Sequence, residues 1–200
     1  MNDPMVPSTS TSTLGYALLG LLARRDLSGY DLAAQMKRSV GYFWQARHSQ
    51  IYPELAKLEA AGLVRHLLIH QTDRPDKKIY AVTDAGRAAL ISWLTSPIAE
   101  AGTRDELVLR AYLIWLADPL QAATLFRDQQ RHHAARQAEY EAILVALETT
   151  HGPALRRPGS IPFASYAALR RGIGYEREYA EWCGWLAEAL GGATSAEDLE

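Results

Sequence analysis

The sequence predicts a mainly α-helical protein: an N-terminal winged helix-turn-helix, made of helices plus a two-stranded wing, followed by an α-helical domain. Three observations carry this. The segment from Gln45 to Gly86 orders an amphipathic helix, two short apolar stretches joined by a charged turn, and a further helix. The remainder after Pro97 reads as long helical patterns. The two parts also differ in charge: Thr13 to Ser96 holds 11 Lys and Arg against 7 Asp and Glu, and Pro97 to Glu200 holds 10 against 15. A basic module carried on an acidic one suits a surface that meets a polyanion.

Taken in order, Leu14, Ala17, Leu18, Leu21 and Leu22 recur at helical spacing and place a first helix over about Thr13 to Ala23. Arg24 to Leu27 reads as a turn. Ser28 is a cap for the next helix, with Asp31 in a capping-box-like place and Tyr30, Ala33, Ala34 and Met36 on its apolar face. Gly41 ends that helix, and Gly41 to Trp44 is an aromatic connector.

The third helix starts near His48 or Ser49, which places Pro53 in its first turn. Ile51, Leu55 and Leu58 mark its buried stripe; Gln50, Tyr52, Glu54, Lys57 and Glu59 lie off it, and Gly62 is a left-handed C-cap. Leu63 to Ile69 and Ile79 to Val82 are the wing strands, joined by the turn Thr72 to Asp76. Thr83 caps a helix that runs to Leu94.

Beyond a break at Ser96 to Gly102, the stretch from Asp105 to Ala117 is apolar on nearly every side and is expected to be buried on more than one face. Asp118-Pro119 opens a helix of some thirty residues, long enough for coiled-coil-like pairing. His151 to Pro162 reads as a loop, and Phe163 to Leu190 as a last helix with Tyr166, Leu169, Ile173, Tyr179, Trp182 and Leu186 on its apolar side. Residues 13–96 are thus the winged domain, 97–190 a helical dimerisation and effector domain, and 1–12 and 191–200 are expected to be disordered.

The chemistry sits at the entry of the third helix. A helix in the major groove reads base edges with polar side chains near its N-terminus. Arg47, His48, Ser49 and Gln50 lie there: Arg and Gln suit bidentate contacts to guanine and adenine, and Ser and His suit bases or phosphates. Tyr52 and Lys57 are candidates for backbone contacts; Arg74, Lys77 and Lys78 on the wing are candidates for phosphates or the minor groove. Tyr52 has an alternative place in the core against Phe43 or Trp44. One recognition helix reads few bases, so a two-fold dimer on paired half-sites is expected.

Several pieces resemble the PadR family of bacterial transcriptional regulators: LGYALLGLLARRDLSGYDLAAQM, the aromatic pair before the third helix, SQIYPELAKLEAAGLV and KKIYAVTDAG. RDELVLRAYLIWL, DQQRHHAARQAEYEAI and GIGYEREYAEWCGWLAEAL resemble the helical C-terminal domain of the virulence-activator type. The resemblance covers roughly Thr13 to Leu190, and its most specific part is the pattern from Ile51 through Leu63. It implies a homodimeric repressor on a palindromic operator, released by a small aromatic effector such as a phenolic acid. Trp93, Tyr112, Trp115 and His132 are the effector candidates. The wing departs from the family's glycine-arginine-proline-lysine-like turn, because Asp73 and Asp76 dilute its positive charge.

Other classes fit less well. A winged-helix protein-interaction module without sequence-specific DNA binding is the alternative, and the basic winged half argues against it. The chain has no glycine-rich phosphate loop, nucleophile elbow or metal-ligand spacing, so no enzyme, cofactor or metal is expected. It has no apolar run long enough to span a membrane, no secretory signal, and one cysteine, Cys183, which reads as packing; a cytoplasmic protein is expected.

Overall fold

The computed structural model describes residues 11–39, 47–70, 76–98, 102 and 104–192. The chain divides into two units, Met1–Glu100 and Ala101–Glu200. The first contains α1 (Thr13–Leu22), β1 (Leu27–Ser28), α2 (Gly29–Ser39), α3 (His48–Ala60), β2 (Val64–Ile69), β3 (Lys77–Val82) and α4 (Asp84–Leu94). The second contains α5 (Glu106–Tyr112), a 3-10 turn at Ile114–Leu116, α6 (Pro119–His151), a second 3-10 turn at Gly152–Arg156, and α7 (Ile161–Gly192).

Helix α1 starts where Ser12 accepts a hydrogen bond from the Gly15 amide at 3.0 Å. Ser12 falls in the stretch expected to be disordered, and this capping bond gives it a defined place; residues 1–10 of that stretch lie outside the described residues. At the other end, Gly191 and Gly192 extend α7, and residues 193–200 lie outside the description.

Leu18, Leu19, Leu21 and Leu22 of α1 meet Leu32 and Met36 of α2, Ile51, Leu55 and Leu58 of α3, and Val64 and Tyr80 of the sheet in one buried cluster. The face of α2 differs from expectation. Tyr30 points outward, and Leu32 and Met36 supply the apolar contact. The turn expected at Arg24 to Leu27 ends in a strand: β1 pairs antiparallel with β3, Leu27 opposite Tyr80, so the sheet has three strands in the order β1-β3-β2. Two residues carry too little pattern to read as a strand.

The wing proper is the β2–β3 hairpin, in register from Val64 opposite Val82 to Ile69 opposite Lys77. Its turn residues 71–75, the connector Gly41 to Trp44 and Arg74 lie outside the described residues. The base of the wing is closely stitched. Helix α3 ends in a Schellman arrangement: Gly62 sits at φ 70°, its N–H donates to Glu59 at 2.9 Å, and the Leu63 N–H donates to Leu58 at 2.9 Å. Thr83 caps α4 by accepting from Gly86 at 3.0 Å, while its hydroxyl donates to the Gly62 and Leu63 carbonyls. A Cβ on Gly86 would lie 2.1 Å from the Leu63 carbonyl oxygen, so only glycine fits.

In the second unit α6 is 33 residues long, about 50 Å at 1.5 Å per residue. It is capped by Asp118, which accepts from Gln121, with Pro119 at its first position. It pairs antiparallel with α7. Phe126 meets Trp182, and further along α6 His133 meets Tyr179 and Glu176. Of the apolar side expected on α7, Leu169 is buried and Trp182 and Leu186 lie partly buried against the cluster around Phe126; Glu176, Ala180, Cys183, Gly184 and Ala187 complete the buried stripe, and its small residues let α6 approach closely. Burial pushes the Cys183 thiol up from its ordinary range, in keeping with a packing role.

Glu176 is buried between the helices, accepting from His133 Nδ1 at 2.6 Å and Arg136 Nε at 2.9 Å; the Arg136 guanidinium also donates to the Tyr140 hydroxyl. A buried carboxylate is tolerated when its oxygens are satisfied this way. The loop expected at His151 to Pro162 holds the second 3-10 turn, with Leu155 buried beneath it.

The stretch Asp105 to Ala117 departs most from expectation. Asp105 caps α5 by accepting from Leu107 and Val108, yet α5 has no buried residue, and Val108, Leu109, Tyr112, Leu113, Trp115 and Leu116 are exposed. Among the described residues nothing supplies the burial that this composition favours.

Gly86→Ala is expected to cost about 2 kcal/mol or more, through the clash with the Leu63 carbonyl. Gly20→Ala, in open space inside α1, is expected to stabilise by about 0.5–1 kcal/mol. Chemical denaturation of the two variants checks both signs.

Candidate nucleic-acid interface

Helix α3 turns one face to the core and the other to solvent. At 100° per residue, Ile51, Leu55 and Leu58 lie on one side. Ser49, Pro53, Ala56 and Ala60 lie opposite and are exposed. Gln50 and Lys57 flank that exposed ridge on one edge, Tyr52 and His48 on the other. Pro53 falls in the second turn rather than the first, because α3 begins at His48. With no N–H at Pro53, the Ser49 carbonyl loses its i+4 partner at the exposed end.

The four residues expected to read bases, Arg47, His48, Ser49 and Gln50, are all exposed. Arg47 is extended, as an N-cap residue should be, and its backbone N–H donates to Gln50 Oε1 at 3.0 Å. Gln50 thus caps α3 with its side-chain oxygen, which keeps a second lone pair, while the amide N–H groups remain available as donors. The His48 ring lies 5.6 Å from the Tyr52 ring.

Tyr52 is 47% exposed and rests on Gly29 at the start of α2, where an added Cβ would come within 2.5 Å of the ring. The alternative that put Tyr52 against Phe43 or Trp44 falls on residues outside the described set. Tyr52, Lys77 and Lys78 share an open groove with Ser28, Gly29 and Tyr30. The groove therefore joins α2, α3 and the wing. Sequence reasoning missed the contribution of Tyr30, having assigned it to the core. The signal was present: Leu32 and Met36 are spaced i, i+4 and already complete an apolar stripe.

The cations are not equally free. Lys77 Nζ is 3.1 Å from Asp31 Oδ2, and Asp31 also accepts from the Ser28 hydroxyl at 2.6 Å. The Ser28 hydrogen bond first, and Lys77 second, hold the Asp31 carboxyl below its ordinary range. The sign follows: this contribution to stability is complete above the ordinary carboxylate pKa and is lost as pH falls through the lowered one. The Asp31 side chain is 42% exposed, so solvent screening keeps the contribution small. Lys57 stands on the other edge of α3, 3.5 Å from Glu54 Oε2, and Lys78 is exposed. Glu54 was expected off the buried stripe and is instead 7% exposed, seated against α1.

The effector candidates separate. Trp93 stacks on Tyr16 with ring centroids 4.5 Å apart and planes 9° from parallel, so one ring face is used within the winged unit. Tyr112 and Trp115 are exposed, as is His132. His133, not His132, is the histidine held in the buried network. A recess in the helical unit is lined by a different set, including Arg110, Leu113, Ile114, Gln121, Leu125 and Phe126.

A winged helix with an exposed polar helix end, on a chain that also carries a long helical hairpin, defines the class of winged-helix transcriptional regulators. Residues 18–92 match the transcriptional regulator PadR-like family, and residues 103–191 match the virulence activator alpha C-terminal domain. The negative transcriptional regulator PadR of Bacillus subtilis is 37% identical over 175 residues, spanning 84% of this chain and 92% of that protein. Crystal structures of Bacillus subtilis PadR with operator DNA and with p-coumaric acid superpose with TM-scores of 0.77 and 0.73. Each is 34% identical and covers 90% of this chain and 99% of that one. The chain belongs to the PadR-like family, whose members are transcriptional regulators and not enzymes.

Gly29→Ala is expected to cost about 1–3 kcal/mol by displacing the Tyr52 ring. The penalty should vanish when Tyr52→Ala is already present. A double-mutant cycle of denaturation midpoints measures that coupling directly.

Proposed function

We propose that this protein is a homodimeric repressor that binds a palindromic operator and leaves it when a small aromatic effector, such as a phenolic acid, binds. The observation that carries the DNA part is the exposed polar end of α3, Arg47 to Gln50, beside a groove that holds Lys78 and Tyr52. Arg47, Ser49 and Gln50 meet base edges; His48, Tyr52, Lys57, Lys77 and Lys78, with Arg74 of the wing turn, meet phosphates and sugar. Lys77 contributes less, being paired with Asp31, and Asp73 and Asp76 weaken the wing.

Dimerisation is supported by the exposed apolar side chains of α5 and the 3-10 turn after it, which a second copy would cover. Repression is supported by the relative from Bacillus subtilis, named a negative regulator. A phenolic effector is supported by the complex of that relative with p-coumaric acid. In this chain we place the effector in the helical unit, with Tyr112, Trp115 and His132 as its aromatic contacts and the recess beside Arg110 and Gln121 as a second set. Trp93, stacked on Tyr16, offers only its outer face. Such a ligand acts by binding more tightly to the dimer geometry that cannot hold two half-sites. No helix among the described residues is long and apolar enough to cross a membrane, and work in the cytoplasm follows from action on DNA.

The test separates readers from holders. Lys78→Ala should weaken binding to all duplexes alike and lower the slope of log affinity against log salt by about 1. Gln50→Ala should cost about 1–3 kcal/mol on the operator, relax the preference at one base position and leave the salt slope unchanged. Equal effects of the two on operator and random duplex would remove the assignment of α3 as reader. Gel shifts with a panel of phenolic acids test the effector, and release by none of them removes that class.

A further inference from the structure

We infer that Glu54 is a positioning residue: through Ser12 it sets the rotation of α3 about its own axis, and so the register in which the outward face meets DNA. The inference rests on the DNA-reading role proposed for α3.

Glu54 sits on α3 yet is buried, at the boundary between the core stripe and the exposed edge that bears Gln50 and Lys57. Its seat is built from the opposite helix. The Ser12 hydroxyl donates to Glu54 Oε1 at 2.5 Å, and the same Ser12 oxygen accepts from the Gly15 N–H that it caps. Gly15 leaves room for the carboxylate: a Cβ there would lie 2.8 Å from Glu54 Oε1 and 3.3 Å from Leu58 Cδ2. The carboxylate therefore faces the N-terminus of α1, where a negative charge is favoured. Its other oxygen is 3.5 Å from Lys57 Nζ.

The apolar stripe alone leaves the rotation of α3 loosely set. Ile51, Leu55 and Leu58 can shift by a fraction of a turn and remain covered, because dispersion and burial are non-directional. A hydrogen bond between two helices is directional and short-ranged. A change of 20° in rotation moves a side-chain end by more than an ångström. That is enough to lose a bidentate contact to a base while leaving phosphate contacts, held by flexible lysines, in place. The bond between Ser12 and Glu54 thus acts on discrimination between sequences rather than on affinity for DNA in general.

The test uses the full chain, a duplex selected by the wild-type protein from a random pool, and a random duplex of the same length. Ser12→Asp keeps an oxygen to cap α1 but sets one carboxylate against another. It should lower the ratio of selected to random affinity about tenfold, with random-duplex affinity unchanged within about twofold. Adding Glu54→Gln restores a donor between the two side chains and should bring the ratio back to within about threefold of wild type. If Ser12→Asp does not fold, Glu54→Gln and Glu54→Met replace it: the first keeps an acceptor for Ser12 and the wild-type ratio, the second fills the space without the bond and loses about tenfold. The inference is overturned if Ser12→Asp and Glu54→Met keep the wild-type ratio, if they lower both affinities alike, or if Glu54→Gln fails to rescue Ser12→Asp. Failure of the wild-type protein to enrich any duplex overturns the DNA reading itself and the inference with it.

Discussion

The burial of Ile51, Leu55 and Leu58 against α1 and α2 is the constraint on which the winged unit depends. Each such side chain, taken out of water, contributes roughly 1.5–3 kcal/mol. Because the three share one side of α3, the opposite side must face solvent, and Ser49, Pro53, Ala56 and Ala60 do. The polar entry of the helix is then held out by the same interaction that holds the helix in. The backbone beyond α3 is fixed to that helix in turn. Gly62 in the left-handed region reverses the chain, and Thr83 with Gly86 clasps the Leu63 carbonyl, so the wing leaves at a set angle to the exposed face.

The helical unit solves a different problem. Two helices of more than thirty residues pair through small side chains, Ala180, Cys183, Gly184 and Ala187, and through one buried carboxylate. Small residues permit close approach but specify register weakly, since one small step resembles the next. Glu176 supplies the missing direction, because its two oxygens are satisfied only when His133 and Arg136 stand opposite. Removing either partner leaves a buried charge undercompensated, which is costly. Outside this hairpin, α5 and its 3-10 turn present apolar side chains that the described residues leave exposed. Within the proposed function that face is the one a second copy covers, and it gives the acidic half a physical reason to pair.

Much of the winged unit was legible in the sequence because its signals are local. Helical spacing gave α1 and α3, Gly62 gave the end of α3, and Thr83 gave the start of α4. What escaped depends on contacts between distant residues. The strand at Leu27 and Ser28 exists only because β3 lies beside it, and Tyr30 faces out because Leu32 and Met36 already complete the buried stripe. Glu54 reads as a solvated charge until Ser12, 42 residues earlier, is seen to donate to it. In α7 the apolar spacing found Leu169 but not Ala180, Cys183, Gly184 and Ala187, since a tight helix pair selects for small residues that carry little hydrophobic signal. The effector candidates divided for the same reason: Trp93 has a partner in Tyr16 that spacing cannot reveal.

The central claim is that the outward face of α3 reads DNA, and that two copies do so together. Hydroxyl-radical footprinting of the wild-type protein on a duplex it has selected tests this most directly. Two protected patches, related by a two-fold axis and centred about 10 base pairs or a multiple apart, are predicted, since two recognition helices must enter successive major grooves on one side of the duplex. A single protected patch, or protection spread evenly along the duplex, would contradict the account.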